Sequence, residues 1–213
     1  MAQRSFAVQS ATIHGVEAWP VLVEVVISNG IPSFSIVGMA DATILESRER
    51  VKAALRASGF SMPTDKIVVN LAPGALRKTG SGFDLPIALG ILVASGQINP
   101  ELVSGALVVG ELSLSGWVRA NAGMLAYQKC ALENGWDIVT GISEKGFFSL
   151  EGVTCRILER LSHLKKGHFS VGKSFTTEQL TDSLDYAEVI GHEAAKRALQ
   201  VAAAGNHGVL MVG

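Results

Sequence analysis

The feature that most constrains the fold is a nearly all-apolar stretch in the middle of the chain, residues 84–98, with the sequence DLPIALGILVASGQI. A helix formed here is apolar around its whole circumference, so it must be buried on most sides. Asp84 is placed to cap that helix, and Pro86 falls in its first turn, where proline is tolerated. No run reaches the roughly 18 apolar residues of a membrane span. We therefore predict a central helix inside a folded domain.

The segments around this helix carry strand and helix signals. Three β-rich stretches, FAVQSATI, PVLVEVVIS and SFSIVGM, fill the first forty residues and suggest a meander. A helix is predicted from a cap at Asp41 to a stop at Gly59, because apolar residues recur there at helical spacing. Further along, the pattern predicts a strand at 66–73, a strand or hairpin at 105–116, a helix at 124–134, and strands at 137–141 and 153–158.

Composition limits the classes of protein to which the chain can belong. Its 213 residues are 48% hydrophobic, enough for a sizeable core, and 18 basic against 19 acidic side chains give a net charge of −1. Because no global field attracts nucleic acid or acidic lipid, any such site must be a local patch. Cys130 and Cys155 show no metal-binding spacing and read as small core residues, and the N-terminus lacks an apolar signal core. We expect a cytoplasmic protein without membrane contact.

The last part of the chain predicts a second unit. Residues 166–184 carry charge, Gly, Ser and Thr with little periodicity, so we interpret them as a linker. Residues 185–213 then predict a helix from about Glu193 to Ala204 and a strand that runs into Gly213. A glycine after a buried strand is how a phosphate-binding loop begins. We expect the sequence to stop at the first glycine of an ATP site in a longer protein; a generic helix–strand unit is the alternative.

Long stretches of the chain resemble a known family. VVISNGIPSFSIVGMADATILESRERVKAALRASGF, IVVNLAPGALRKTGSGFDLPIALGILVASGQI and GELSLSGWVRANAGML closely resemble the amino-terminal domain of the ComM/YifB family of bacterial Mg-chelatase-like, ChlI-type AAA+ ATPases. This resemblance covers residues 1–165. The stretch VIGHEAAKRALQVAAAGNHGVLMVG is similar to the start of the ATPase domain in the same family.

The resemblance implies a fold and a function. For residues 1–165 it implies an α+β fold of the ribosomal protein S5 domain 2-like type, similar to the Lon protease domain, followed in 185–213 by the first helix and strand of a truncated AAA+ module. It also implies a homo-hexameric, ATP-driven DNA motor linked to branch migration in natural transformation, with ATP and Mg²⁺ as cofactors of the full-length protein. Ile190, Gly191 and Gly213 would belong to an incomplete ATP site, so this fragment is expected to hold no cofactor.

A Lon-like domain raises the question of proteolysis, which requires a serine nucleophile and a lysine base. The Lon-type serine stretch K-D-G-P-S-A-G aligns with residues 78–84 and puts Gly82 at the nucleophile position. The lysine stretch V-x-P-x-G-G-L-K aligns with residues 118–125 and puts Leu125 at the base position. We therefore expect no catalytic residue in this fragment.

Two alternatives to a non-catalytic domain remain open. A shifted dyad of Ser81 with Lys78 or Lys129 would make the domain an active Lon-like serine peptidase, although catalysis requires the base within hydrogen-bond reach of the hydroxyl. The other alternative is a Mg-chelatase-related ATPase with a different function. The five histidines show no metal-ligand spacing, so no metal site is predicted.

Two groups of basic residues are candidates for DNA contact. Arg48, Lys52 and Arg56 repeat every four residues and form a stripe along one edge of the first predicted helix. Arg77 and Lys78 stand in a glycine-containing loop where the backbone can approach a phosphate. A solvated helix face balanced by neighbouring glutamates is the alternative for the stripe.

Overall fold

The computed structural model describes residues 4–143, 149–172 and 188–211. The chain divides into two compact units, Met1–Phe175 and Thr176–Gly213, and each is described by itself. The helices are α1 (Ala42–Ala57), α2 (Asp84–Ala94) and α3 (Met124–Asn134) in the first unit and α4 (Glu193–Ala204) in the second. The strands are β1 (Arg4–His14), β2 (Glu17–Ser28), β3 (Ser33–Val37), β4 (Lys66–Ala72), β5 (Ala106–Val108), β6 (Glu111–Leu112), β7 (Val118–Arg119), β8 (Asp137–Thr140), β9 (Cys155–Ile157) and β10 (Ser170–Val171).

Eight strands form one mixed sheet in the order β10-β9-β8-β5-β1-β2-β4-β3, in agreement with the α+β class. β1 and β2 form a long antiparallel hairpin at its centre. β3 pairs in parallel with β4 instead of following β2, so the predicted meander is wrong. The reason is that α1 connects β3 to β4, and a strand–helix–strand crossover returns the chain in the parallel direction.

The central helix α2 is buried over almost its whole surface, as predicted. It packs against β1 and β2 on one side and contacts α1 on another. Gly90 permits the close approach to the sheet, since a Cβ there would lie 2.5 Å from Cγ2 of Val25. The predicted capping role of Asp84 is wrong: the cap position is Phe83, and the fully buried Asp84 carboxylate pairs with Arg50 instead. A buried carboxylate requires such a cationic partner.

Side chains from the two faces of the sheet enter two separate cores. The larger core holds α1 and α2 and includes Val8 of β1. The smaller one lies under α3 and includes Ala11 of the same strand, three residues away and therefore on the opposite face. Cys130 and Cys155 are buried there as predicted, and burial raises the pKa of both thiols. The bounds of α3 agree with the predicted helix.

The predicted linker and second unit are described only in part. Ser170 and Val171 form β10 against β9, and residues 173–184 of the predicted linker lie outside the described residues. In the second unit α4 confirms the predicted helix, whereas residues 208–211 form no strand. An isolated strand lacks the ladder partner that satisfies its backbone groups. Within the described ranges, no helix is both long and apolar enough to cross a membrane.

Candidate functional site

Gly82, which aligns with the Lon-type nucleophile, lies in a surface cleft with a volume of about 390 Å³. The turn at residues 79–82 forms one wall and leads directly into α2. Glu111 of β6, residues 120–122 before α3 and Tyr127 of α3 form the rest, with Ile13 of β1 as an apolar contributor. Elements that are distant in sequence therefore build this cleft.

Neither predicted dyad position carries a group that could attack a carbonyl or accept a proton. Gly82 is buried at the cleft, and a Cβ there would lie 3.2 Å from both Oδ1 of Asn121 and Cγ2 of Val109. Leu125 is 67% exposed in the first turn of α3. The structure thus places Gly82 at the cleft, while Leu125 is absent from the residues that line it.

The Ser81 hydroxyl has an acidic neighbour. Its Oγ donates a hydrogen bond of 2.7 Å to Oε2 of Glu111. Lys129 instead lies 3.9 Å from the Glu133 carboxylate and lines a different groove. Lys129 therefore does not pair with Ser81. The other candidate base, Lys78, has different partners.

That second lysine, Lys78, is fully buried. Its ammonium donates hydrogen bonds to the carbonyl oxygens of Gly38 at 3.0 Å and Leu71 at 2.8 Å, and also to that of Pro73. Burial lowers the pKa of Lys78. An ammonium with three donors is satisfied by three acceptors. In this arrangement Lys78 has no donor left for a DNA phosphate and does not contact the Ser81 hydroxyl.

The stripe of Arg48, Lys52 and Arg56 lies on α1 as predicted. Arg48 and Arg56 are exposed, whereas Lys52 is half-buried and donates to Oε1 of Glu49 at 2.9 Å. This contact lowers the pKa of Glu49. Arg77 is exposed beside the buried Lys78. The arginines of both groups are accessible to an anionic partner.

Comparison with known proteins supplies the family. The family model described as subunit ChlI of Mg-chelatase matches residues 23–140, more than half of the chain. A second model, described as magnesium chelatase, subunit ChlI, matches residues 185–213. The uncharacterized proteins YifB of Salmonella typhimurium and of Escherichia coli K12 are each 36% identical over 207 residues. The competence protein ComM of Haemophilus influenzae is 34% identical over 217 residues.

The chain belongs to the ComM/YifB family of Mg-chelatase-like proteins. The aligned regions cover 93% of this chain for the YifB proteins and 97% for ComM. They cover only 40% and 43% of those relatives, respectively. The chain thus spans about two fifths of the length of the ComM/YifB relatives that it matches.

The terminal segment of this ComM/YifB chain carries the predicted ATP-site residues. Ile190 is 95% exposed, and Gly191 adopts a left-handed backbone with φ of 75° shortly before α4. The remaining candidate, Gly213, lies outside the described residues. The role of these residues in nucleotide binding stays a prediction.

Sequence reasoning missed the ion pair between Arg50 and the fully buried Asp84. Arg50 Nε lies 2.7 Å from Oδ2 of Asp84, and its Nη2 lies 3.0 Å from Oδ1, a bidentate contact. Asp84 Oδ2 also accepts from the backbone N–H of Leu112. The pair therefore joins α1, α2 and β6 next to the cleft. The sequence carried one sign of this pair, since Arg50 falls at the border of the apolar face of α1.

Proposed function

We propose that this chain is the non-catalytic amino-terminal region of a ComM-type AAA+ ATPase that works on DNA, as a hexameric branch-migration motor. In this proposal the first unit has the S5 domain 2-like fold of Lon protease domains, and the second unit begins the ATPase module. Membership of the ComM/YifB family and 34% identity to a competence protein support the assignment.

The observation that carries the non-catalytic assignment is the chemistry of the cleft. Glycine and leucine occupy the nucleophile and base positions, and the buried Lys78 ammonium is held by backbone carbonyls. A serine hydroxyl attacks poorly unless a nearby base takes its proton. The absence of a nucleophile and a base at the two aligned positions therefore supports the non-catalytic assignment.

Ser81 supports one alternative function, that of a peptidase, because its hydroxyl donates to the Glu111 carboxylate. An assay with unfolded casein and a fluorogenic peptide, with Ser81→Ala as the control, separates the two. We expect no cleavage by either protein. Cleavage that is lost in Ser81→Ala would establish the peptidase and refute the non-catalytic assignment.

ATP hydrolysis provides a second test. The 213-residue chain lacks the G-K-[ST] part of a phosphate-binding loop, whose lysine and hydroxyl act on phosphate and Mg²⁺. We expect no ATP turnover by the chain and DNA-dependent turnover by the full-length protein. A full-length protein without ATPase activity would contradict the motor assignment.

DNA contact is proposed for the exposed arginines of α1 and for Arg77. The isolated chain has a net charge of −1, so it should bind DNA weakly, with Kd of about 10⁻⁴ M or more at physiological salt. Six copies in a ring would raise the apparent affinity, because later contacts become intramolecular.

The decisive measurement uses the full-length protein and varies salt. Replacing Arg48, Lys52 and Arg56 together by alanine should weaken DNA binding and reduce its salt dependence. The matched control replaces three exposed lysines outside α1, Lys66, Lys129 and Lys166, by alanine and removes the same total charge. Equal affinity and equal salt dependence in the wild type and the α1 variant would show that the stripe is a solvated helix face without DNA contact.

A further inference from the structure

The cleft beside Ser81 carries polar groups that no function described above uses. Its volume of about 390 Å³ lies within the usual range of small-molecule sites. Peptidase chemistry is lost at Gly82, and the DNA candidates lie on α1 and at Arg77. The cleft nevertheless persists with a distinct set of hydrogen-bonding side chains.

Tyr127 is the first of these side chains. It is only 6% exposed and lines the cleft, and its hydroxyl has no hydrogen-bond partner among the described residues. Burial raises the pKa of Tyr127 to about 12, so the phenol stays protonated at neutral pH and can donate to an acceptor.

Asn121 is the second. Its Oδ1 is buried without a hydrogen-bond partner and faces Gly82 at the base of the cleft. An unpaired buried acceptor costs about 1–3 kcal/mol in a folded protein. One buried acceptor, Oδ1 of Asn121, is therefore left unsatisfied by the described residues at the same cleft that Tyr127 lines.

Glu111 sets the sign of the charge at this cleft. It is exposed, and no basic side chain belongs to the lining within the described residues. Arg119 lies opposite Glu111 in the β6–β7 ladder, but no ion pair joins them in the described structure. The guanidinium of Arg50 also attracts Glu111. Its Nε and Nη2 donate to Asp84, Ser47 and the carbonyl of Thr43, and its Nη1 lies 3.6 Å from Oε2 of Glu46.

We infer that this cleft binds a small cationic ligand with a primary ammonium or guanidinium group and an adjacent carbonyl acceptor. The cation pairs with Glu111 and the Ser81 hydroxyl, and the acceptor takes the hydrogen bond of Tyr127. The Asn121 amide contacts the ligand at the base of the cleft. Anions are excluded because Glu111 repels them and the lining offers no positive charge.

The experiment titrates the complete chain with L-argininamide, which carries both cationic groups and a carboxamide, and follows binding by calorimetry and NMR. Inorganic phosphate is the anionic comparator. We expect saturable binding of argininamide and no saturable binding of phosphate. Glu111→Gln should weaken argininamide binding about tenfold, since hydrogen bonds to charged groups contribute most. Tyr127→Phe should weaken it about fivefold.

A matched acidic control is Glu133→Gln, which removes an exposed carboxylate from the separate groove beside Trp19. Its affinity for argininamide should equal that of the wild type. Gly82→Ala adds a methyl group 3.2 Å from Oδ1 of Asn121 and should weaken binding without altering Glu111. Absence of saturable argininamide binding, stronger binding of phosphate, or equal losses in Glu111→Gln and Glu133→Gln would each overturn the inference.

Discussion

Two sets of charged residues lie within a few positions of each other and behave in opposite ways. The inner charges, Lys78 and the Arg50–Asp84 pair, are bound by partners inside the fold. The outer charges, Arg48, Lys52, Arg56 and Arg77, lie at the surface, and the ion pair of Lys52 is with Glu49 on the same helix. The difference shows that tertiary partners, and not residue type, decide which charge stabilises the fold.

The largest effect should come from Asp84→Ala. It removes the bidentate partner of the Arg50 guanidinium, which keeps the exposed Glu46 carboxylate at 3.6 Å, and it removes the acceptor of the Leu112 N–H. We expect a loss of about 3 kcal/mol in the free energy of unfolding, measured by chemical denaturation. The matched control is Asp65→Ala, which breaks the exposed Arg4–Asp65 pair and should cost about 1 kcal/mol or less. Equal losses would remove the distinction between inner and outer charges.

Lys78→Met should have the next largest effect. The substitution keeps a long side chain but leaves the carbonyl oxygens of Gly38, Leu71 and Pro73 without their donor. We expect a loss of about 2 kcal/mol on chemical denaturation. Lys129→Met, at an exposed position of α3, serves as the control and should be close to neutral. A stable Lys78→Met variant would show that the buried ammonium contributes nothing net.

A smaller effect concerns pH. Burial lowers the pKa of Lys78 below its usual value, so between the folded-state and unfolded-state pKa values the unfolded state binds more protons than the folded state. The free energy of unfolding of the wild type should therefore rise relative to that of Lys78→Met as the pH increases between those two pKa values. Tyr127 titrates in both proteins and cancels in this difference. A flat or falling difference would contradict the lowered pKa.

The smallest effect is expected for the outer charges. Arg48→Ala and Arg56→Ala should each change the free energy of unfolding by about 0.5 kcal/mol or less, because neither side chain is buried. Thermal denaturation of the single variants provides the measurement. A loss comparable to that of Asp84→Ala would mean that the stripe is structural, and its effect on DNA binding would then need another explanation.

Local patterns predicted the elements of this fold well. The burial of α2, the bounds of α3 and the cap of α1 at Asp41 all follow from hydrophobic periodicity and capping chemistry. Strand pairing was less accessible: β3 pairs with β4 because α1 forms the crossover between them. The predicted order of strand, helix and strand already indicated a parallel pair, because such a crossover joins parallel strands.

The charged part of the candidate site could not be predicted from local patterns. Helical spacing places Arg48 and Arg50 on the two opposite borders of the apolar face of α1. Only the position of Asp84, 34 residues away in sequence, distinguishes them. The carbonyl partners of Lys78 likewise come from three separate positions, and such long-range contacts leave no periodic trace in the sequence.

The turn that forms one wall of the cleft is fixed at both ends. Lys78 anchors the chain just before it, Asp84 anchors the chain just after it, and Oδ2 of Asp41 accepts a hydrogen bond of 3.1 Å from the Gly80 N–H between them. Ordering a loop on binding reduces affinity, because the loop loses conformational entropy. A ligand that enters this cleft contacts a wall that is already ordered in the folded protein, so binding avoids the entropy cost of ordering that wall.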